Sequence, residues 1–227
     1  MCQECGIHCE YVPVGLEGAV LCSRCGSNYG TEWRKAHWTE ILEAAGVPKQ
    51  YATRVPSSMT LPGALVAWRG DPWAVTIGGK IGCGKTWLAV RLLGEMACED
   101  MSLNPAKDFY FCDASVAVEG LRREIASDTD GKIADRLLES KVLVLDDFGA
   151  ERSTDFARDR LGMVLRTRYN NLAATILTTN AMDLSPIREL DPRIASRLRE
   201  GLMVSMKGED RRTKPVPLGP RAVTETV

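Results

Sequence analysis

The sequence is short of several features that would place it quickly. No apolar run approaches the roughly 18 residues a membrane-spanning helix needs, and no hydrophobic leader opens the chain. A soluble, cytoplasmic protein is therefore expected, with no membrane partner. Neither sign of charge dominates: 29 Lys+Arg face 30 Asp+Glu in 227 residues, which excludes an acidic or basic disordered chain. Cysteine is scarce in most of the chain, yet five of the eight (Cys2, Cys5, Cys9, Cys22, Cys25) fall within the first 25 residues. Without an export signal, that skew reads as metal binding before it reads as disulfides. The length suits one globular domain of roughly 150–200 residues with something small beside it.

Cys2-x2-Cys5 and Cys22-x2-Cys25 are two pairs separated by sixteen residues, the spacing of a four-thiolate Zn2+ site. Gly6 and Gly26 follow the pairs and suit the tight turn each pair needs. Two short strands are expected between them. So small a unit cannot bury a sufficient core, so the metal would supply most of its folding free energy. His8 and Cys9 are spare donors outside this ligand set. A site closed by four cysteines is structural, because catalytic zinc needs an open position. Residues 1–29 are thus expected to form a zinc module. Residues 30–60 read as a connector, with a helix over Thr31–Ala45 stopped by Gly46 and Pro48.

From residue 73 the pattern sharpens. Trp73–Gly78 reads as a short strand running into Gly79-Lys-Ile-Gly82-Cys83-Gly84-Lys85-Thr86, which satisfies G-x4-G-K-[ST], and a helix-forming segment follows. Glycines let backbone N–H groups close around phosphates, and the helix N-terminus adds a favourable dipole. Lys85 is expected to reach the β- and γ-phosphates of ATP, and the Thr86 hydroxyl to bind Mg2+. Lys141–Leu145 is an apolar run ending in Asp146-Asp147, as a buried parallel strand would. At that carboxyl end Asp146 can hold the Mg2+ shell, and Asp147 can orient and deprotonate a water. Further strands are expected at Phe109–Cys112, at Ala174–Thr179 ending in Asn180, and at Leu202–Met206. Strands alternating with helical segments argue for a doubly wound α/β fold with nucleotide at the strand carboxyl ends. Thr154–Tyr169 places Ala157, Leu161, Val164, Leu165 and Tyr169 on one helical stripe. Arg158, Arg160, Arg166 and Arg168 lie mainly elsewhere, as a solvated face or a phosphate-contacting surface.

The succession GGKIGCGKT, KVLVLDDFGAE, TILTTN, DPRIASRL and KGEDRR resembles the DnaC/IstB-type AAA+ ATPases, the bacterial and phage helicase loaders and transposition helpers. The resemblance covers roughly residues 45–212. It implies an AAA+ P-loop core over 61–212 with a five-stranded parallel sheet and little or no helical lid, leaving 213–227 as a flexible tail. It implies that Lys85 and Thr86 serve as the Walker A pair, Asp146 and Asp147 as Walker B, and Asn180 as the sensor of the hydrolytic water. Arg197 resembles an arginine finger inserted into a neighbouring subunit's ATP site, with Arg193 as the second possibility. The resemblance departs at the second acidic position, where many AAA+ proteins carry Glu and this chain has the shorter Asp147. Slow turnover follows from that departure.

The leading functional expectation is an ATP-assembled oligomer that loads a replicative DNA helicase onto single-stranded DNA. Residues 188–214 hold eight Lys/Arg against five Asp/Glu, a modest excess for phosphate contact. The alternatives are a transposition helper ATPase acting on duplex DNA with a transposase, and a zinc-containing adaptor that binds ATP without cleaving it. A small-molecule kinase would want an acceptor pocket and an Arg-bearing lid.

Overall fold

The computed structural model describes residues 23–127, 131–149, 155–181, 191–208 and 210. Five strands, β1 (Ala74–Gly79), β2 (Phe109–Asp113), β3 (Val142–Asp146), β4 (Ala174–Thr179) and β5 (Leu202–Met206), form one sheet in the order β2-β3-β4-β1-β5. Every pairing is parallel. β1 lies between β4 and β5 and all six of its residues are buried. The five strands expected in the core are therefore present, and the α/β P-loop core has its five-stranded parallel sheet; the two short strands expected between the cysteine pairs lie outside the described residues.

Alternation along the strands divides the core into two layers. Val75, Ile77, Val142, Val144 and Ile176 point to one face, against α5 (Lys85–Glu99), α2 (Trp38–Ala44) and the two short helices α3 (Lys49–Ala52) and α4 (Gly63–Val66). Ala74, Leu143, Leu145 and Leu177 point to the other face. There they meet α7 (Ala114–Ser127), α8 (Lys132–Glu139), α9 (Asp155–Asn170) and α10 (Pro192–Leu198). A short helix α6 (Pro105–Asp108) leads into β2.

The connector expected over 30–60 is packed into this core. Its single expected helix is two, α1 (Ser23–Ala36) and α2, which break at His37. Gly46, at φ +86°, follows α2 as expected. Trp38 explains the close packing: its ring lies where a side chain on Gly94 would have to go, so α2 approaches the backbone of α5. Trp38 also donates its indole N–H to the Val55 carbonyl at 2.7 Å. Arg34 fastens α1 by donating to the carbonyls of Ala97 (2.6 Å), Asp100 (2.9 Å) and Leu103 (2.9 Å) at the end of α5. They span the last turn of α5 and the turn that follows it.

Cys25 and Gly26, expected in a tight turn, have helical backbone within α1. Cys2, Cys5 and Cys22 lie outside the described residues, as does the tail 213–227. Among the described residues no three metal-donor side chains gather. No described helix is long and apolar enough to cross a membrane.

Candidate nucleotide-binding site

The sharp turn from β1 into α5 depends on glycine. Gly82 (φ +76°) and Gly84 (φ +102°) are left-handed, a region costly to residues with a side chain. A methyl group on Gly82 would overlap the Asp210 carboxylate, and one on Gly79 would stand 2.7 Å from the Met206 carbonyl oxygen and 2.8 Å from the Cys83 Sγ. The segment after β5 therefore runs alongside the loop. Cys83 is buried, so its thiol packs inward while its backbone stays in the loop. Beyond Gly84 the 15-residue α5 begins, with no acidic residue in its first turn. Its free N–H groups and dipole make a site for phosphate.

The acidic side of the site is built by strand ends. Asp113 and Asp146 are in register at the carboxyl ends of β2 and β3. Asp113 is engaged as a cap, accepting from the N–H groups of Ser115 (2.8 Å) and Val116 (3.1 Å) at the start of α7. Asp146 is buried and accepts from the hydroxyls of Thr86 (3.0 and 3.1 Å to its two oxygens) and Thr178 (2.6 Å). Burial is the main cause that pushes its carboxyl up to about 6; the Thr178 and Thr86 bonds oppose that shift, and the Asp147 and Asp113 charges reinforce it. A carboxylate held at a cost beside a hydroxyl, with no cationic partner among the described residues, is a donor set that fits Mg2+.

That cost has a sign that can be tested. A carboxyl whose folded pKa is raised favours the folded state below the unfolded pKa, about 3.9, and loses that advantage as pH rises through about 6. Two units at about 1.4 kcal/mol each give roughly 3 kcal/mol. In chelator and without nucleotide, Asp146→Asn should gain roughly 2–3 kcal/mol in urea unfolding at pH 7.5 and almost nothing at pH 4. An equal gain at both pH values would show that charge is not the cause.

Asp147 sits at φ +53°, a left-handed conformation that Asp and Asn tolerate far better than longer side chains. Its N–H donates to the Thr178 hydroxyl at 2.9 Å, and the next N–H, of Phe148, donates to the Thr178 carbonyl at 2.8 Å. The backbone turn thus gives a physical reason for Asp at a position where many AAA+ proteins carry Glu. Lys85 is buried, with its ammonium donating to the Lys80 carbonyl (3.1 Å) and to Asn180 Oδ1 (2.8 Å). The structure therefore pairs Lys85 with Asn180 and Thr86 with Asp146 by hydrogen bonds at the start of α5, with Asp147 following Asp146.

Arg197 is elsewhere. Its carbonyl accepts from the Trp73 indole N–H at 3.2 Å, which puts it at the entry to β1, the end of the sheet opposite the loop. It is remote from its own chain's phosphate loop. Arg193 is exposed at the start of α10, where its N–H bonds the capping Asp191 at 2.9 Å.

Sequence reasoning missed Thr178, which ties both acidic residues to β4; its signal was the run of threonines in TILTTN, where a buried strand offers hydroxyls toward one end. It also missed Asp210 beside Gly82. Arg168 reverses an expectation: grouped with the helix arginines expected on a solvated or phosphate-contacting surface, it is fully buried.

A five-stranded parallel sheet, a glycine loop at the carboxyl end of its β1 strand, and a Thr–Asp pair beside that loop define the class: an α/β P-loop nucleotide-binding core of the AAA+ kind. The chain belongs to the family described as IstB-like ATP binding protein, whose profile matches residues 59–186, more than half of its length. Among solved structures it is similar to the DnaC helicase loader, at 26% identity and a TM-score of 0.57, covering 70% of this chain and 100% of that one. It shares the fold of the replication initiator DnaA bound to AMPPCP and single-stranded DNA (19% identity, TM-score 0.52, 64% of this chain and 44% of that one). It also shares the fold of domain III of the Thermotoga maritima replication initiation protein DnaA (14% identity, TM-score 0.50, 78% and 62%). No curated protein matches the sequence. The protein is thus a DnaC/IstB-type AAA+ ATP-binding protein.

Proposed function

We propose that this protein is an ATP-hydrolysing AAA+ oligomer that loads a replicative DNA helicase onto single-stranded DNA. The observation that supports this most is the similarity to the DnaC helicase loader, which spans the whole of that chain. In this reading the N–H groups of the loop from Gly79 to Gly84, together with Lys85, hold the nucleotide phosphates. Thr86 and Asp146 hold Mg2+, which when bound neutralises charge on the phosphates. Asp147 accepts the proton of the attacking water, and Asn180 orients that water once Lys85 turns from it to phosphate. Arg197 of one subunit, with Arg193 as the alternative, completes the site of the next. Hydrolysis then depends on assembly.

The test is co-purification with candidate replicative helicases with and without ATP, followed by loading onto single-stranded DNA. Retention and loading in ATP support the reading. No helicase retained or loaded under any nucleotide condition refutes it. The family's IstB-like name favours one rival, a transposition helper, which would instead be retained by a transposase and hydrolyse ATP according to duplex length.

The amino-terminal module belongs to the same proposal. Cys2, Cys5, Cys22 and Cys25 offer four thiolates in two pairs, a donor set that fits one closed Zn2+ site and a role in holding helicase, DNA or both. Freshly reduced protein should carry one zinc per chain by elemental analysis, and Cys→Ser at all four should remove it. A wild-type value near zero would eliminate the module.

A further inference from the structure

Arg197 is held by a closed set of side chains that no reading above assigns. Its guanidinium lies over the ring of Tyr169, at 4.4 Å from the ring centre. Tyr169 is fixed from two sides: its hydroxyl donates to Glu200 Oε2 at 3.0 Å, and its ring meets Trp73 edge-on, 5.4 Å between centres and 83° between planes. Trp73 is buried and bonds back to the Arg197 carbonyl. Backbone and side chain of Arg197 are thus both restrained, by residues from α9, β1 and the turn after α10. Among the described residues, one terminal guanidinium nitrogen of Arg197 is buried and has no acceptor.

The stack on Tyr169 fixes the plane of the guanidinium. A free arginine also loses about 2 kcal/mol of side-chain entropy when it is fixed on a partner. Stacking on an anchored aromatic ring removes much of that loss in advance. We infer that Tyr169 is a positioning residue, which holds Arg197 ready for the phosphate of ATP bound by a second copy of this chain. This rests on the proposed reading of Arg197 as acting between subunits. Tyr169 itself touches no phosphate; it acts only through Arg197.

The experiment compares Tyr169→Leu, Tyr169→Phe, Arg197→Ala and Lys85→Ala in the full chain, under conditions where the wild type turns over ATP. Tyr169→Leu should lower kcat by about 10-fold while the KM for ATP stays within about twofold, because each chain binds ATP on its own loop. Tyr169→Phe keeps the ring and should retain at least half the rate. Mixing Tyr169→Leu with Lys85→Ala should restore turnover above either alone: the second supplies a positioned Arg197 and the first a working loop. Arg197→Ala mixed with Lys85→Ala should do the same.

If Arg197→Ala is rescued by mixing and Tyr169→Leu is not, the positioning role is wrong while the inter-subunit reading stands. If neither is rescued, the inter-subunit reading fails and the role of Tyr169 with it. A Tyr169→Leu protein with wild-type kcat also overturns the inference. Should that variant misfold, Tyr169→Met offers similar bulk without an aromatic face and is judged by the same outcomes.

Discussion

Arg168→Ala should lose about 3–5 kcal/mol of folding stability, the cost expected when a buried, fully bonded cation is deleted. Its guanidinium donates to the Thr175 hydroxyl (2.9 Å), the carbonyls of Leu137 (3.1 Å), Ser140 (2.8 Å) and Ala174 (2.7 Å), and the Ser140 hydroxyl (3.4 Å). One side chain thus joins α9 to α8, to the turn entering β3 and to the start of β4. Among the described residues no carboxylate pairs with it. Burial alone pushes its pKa down to about 10, so the charge is still present at neutral pH and is stabilised by carbonyl dipoles.

Alanine would leave those carbonyls without a donor and open a cavity between three elements. In a domain with about 5–15 kcal/mol in total, that is a large share. The melting temperature should fall by about 6–20 °C, at about 2–4 °C per kcal/mol for this size. Arg166→Ala is the control: Arg166 is two residues away and half-exposed, and its pair with Asp191 at 3.0 Å should contribute under about 1 kcal/mol. Similar urea midpoints for the two variants would disprove the role assigned to Arg168.

Lys85→Ala should reduce ATP turnover by at least about 100-fold, the loss usual when a main electrostatic contact to a reacting group is removed. The ammonium is poised by Asn180 Oδ1 and the Lys80 carbonyl, both acceptors inside the site, so it needs only a local rotation to reach phosphate. Nucleotide affinity should fall with turnover, measured by a fluorescent nucleotide and by phosphate release. Asn180→Ala separates the two roles. It frees the lysine, so binding should persist, while turnover should fall because nothing orients the water. Turnover by Lys85→Ala at stoichiometric protein would point to a contaminating ATPase or to a different site.

Much of this site was legible in the chain because its parts are local. G-x4-G-K-T must lie on a strand–loop–helix turn for its N–H groups to converge, and an apolar run ending in two aspartates must place them at a strand end. Lys85, Thr86 and Asp146 are found in that way, and the structure bonds Thr86 to Asp146 and Lys85 to Asn180. Thr178 was not found, since its importance lies in a hydrogen bond across strands 32 residues apart. Arg168 misled because helical periodicity records only where a residue sits on its own helix. Whether a neighbouring element supplies acceptors at that place is a matter of packing. The connector misled for the same reason: its Gly and Pro punctuation resembles a linker, but Trp38 and Arg34 find partners on α5.

By itself the sequence determined the class of the protein: local periodicity set five strands and their intervening helices, and short motifs named the nucleotide chemistry. The tertiary structure alone decided which charges are inside. Burial raised Asp146, enclosed Arg168, and set Arg197 on Tyr169 at the far end of the sheet. The physical reason is that backbone propensity and motif geometry act within a few residues, whereas desolvation and hydrogen-bond satisfaction depend on what distant segments bring. The scarcity of charge imbalance in the composition therefore said little about electrostatics at the site. There, the buried Asp146 carboxyl matters more than the net charge of −1.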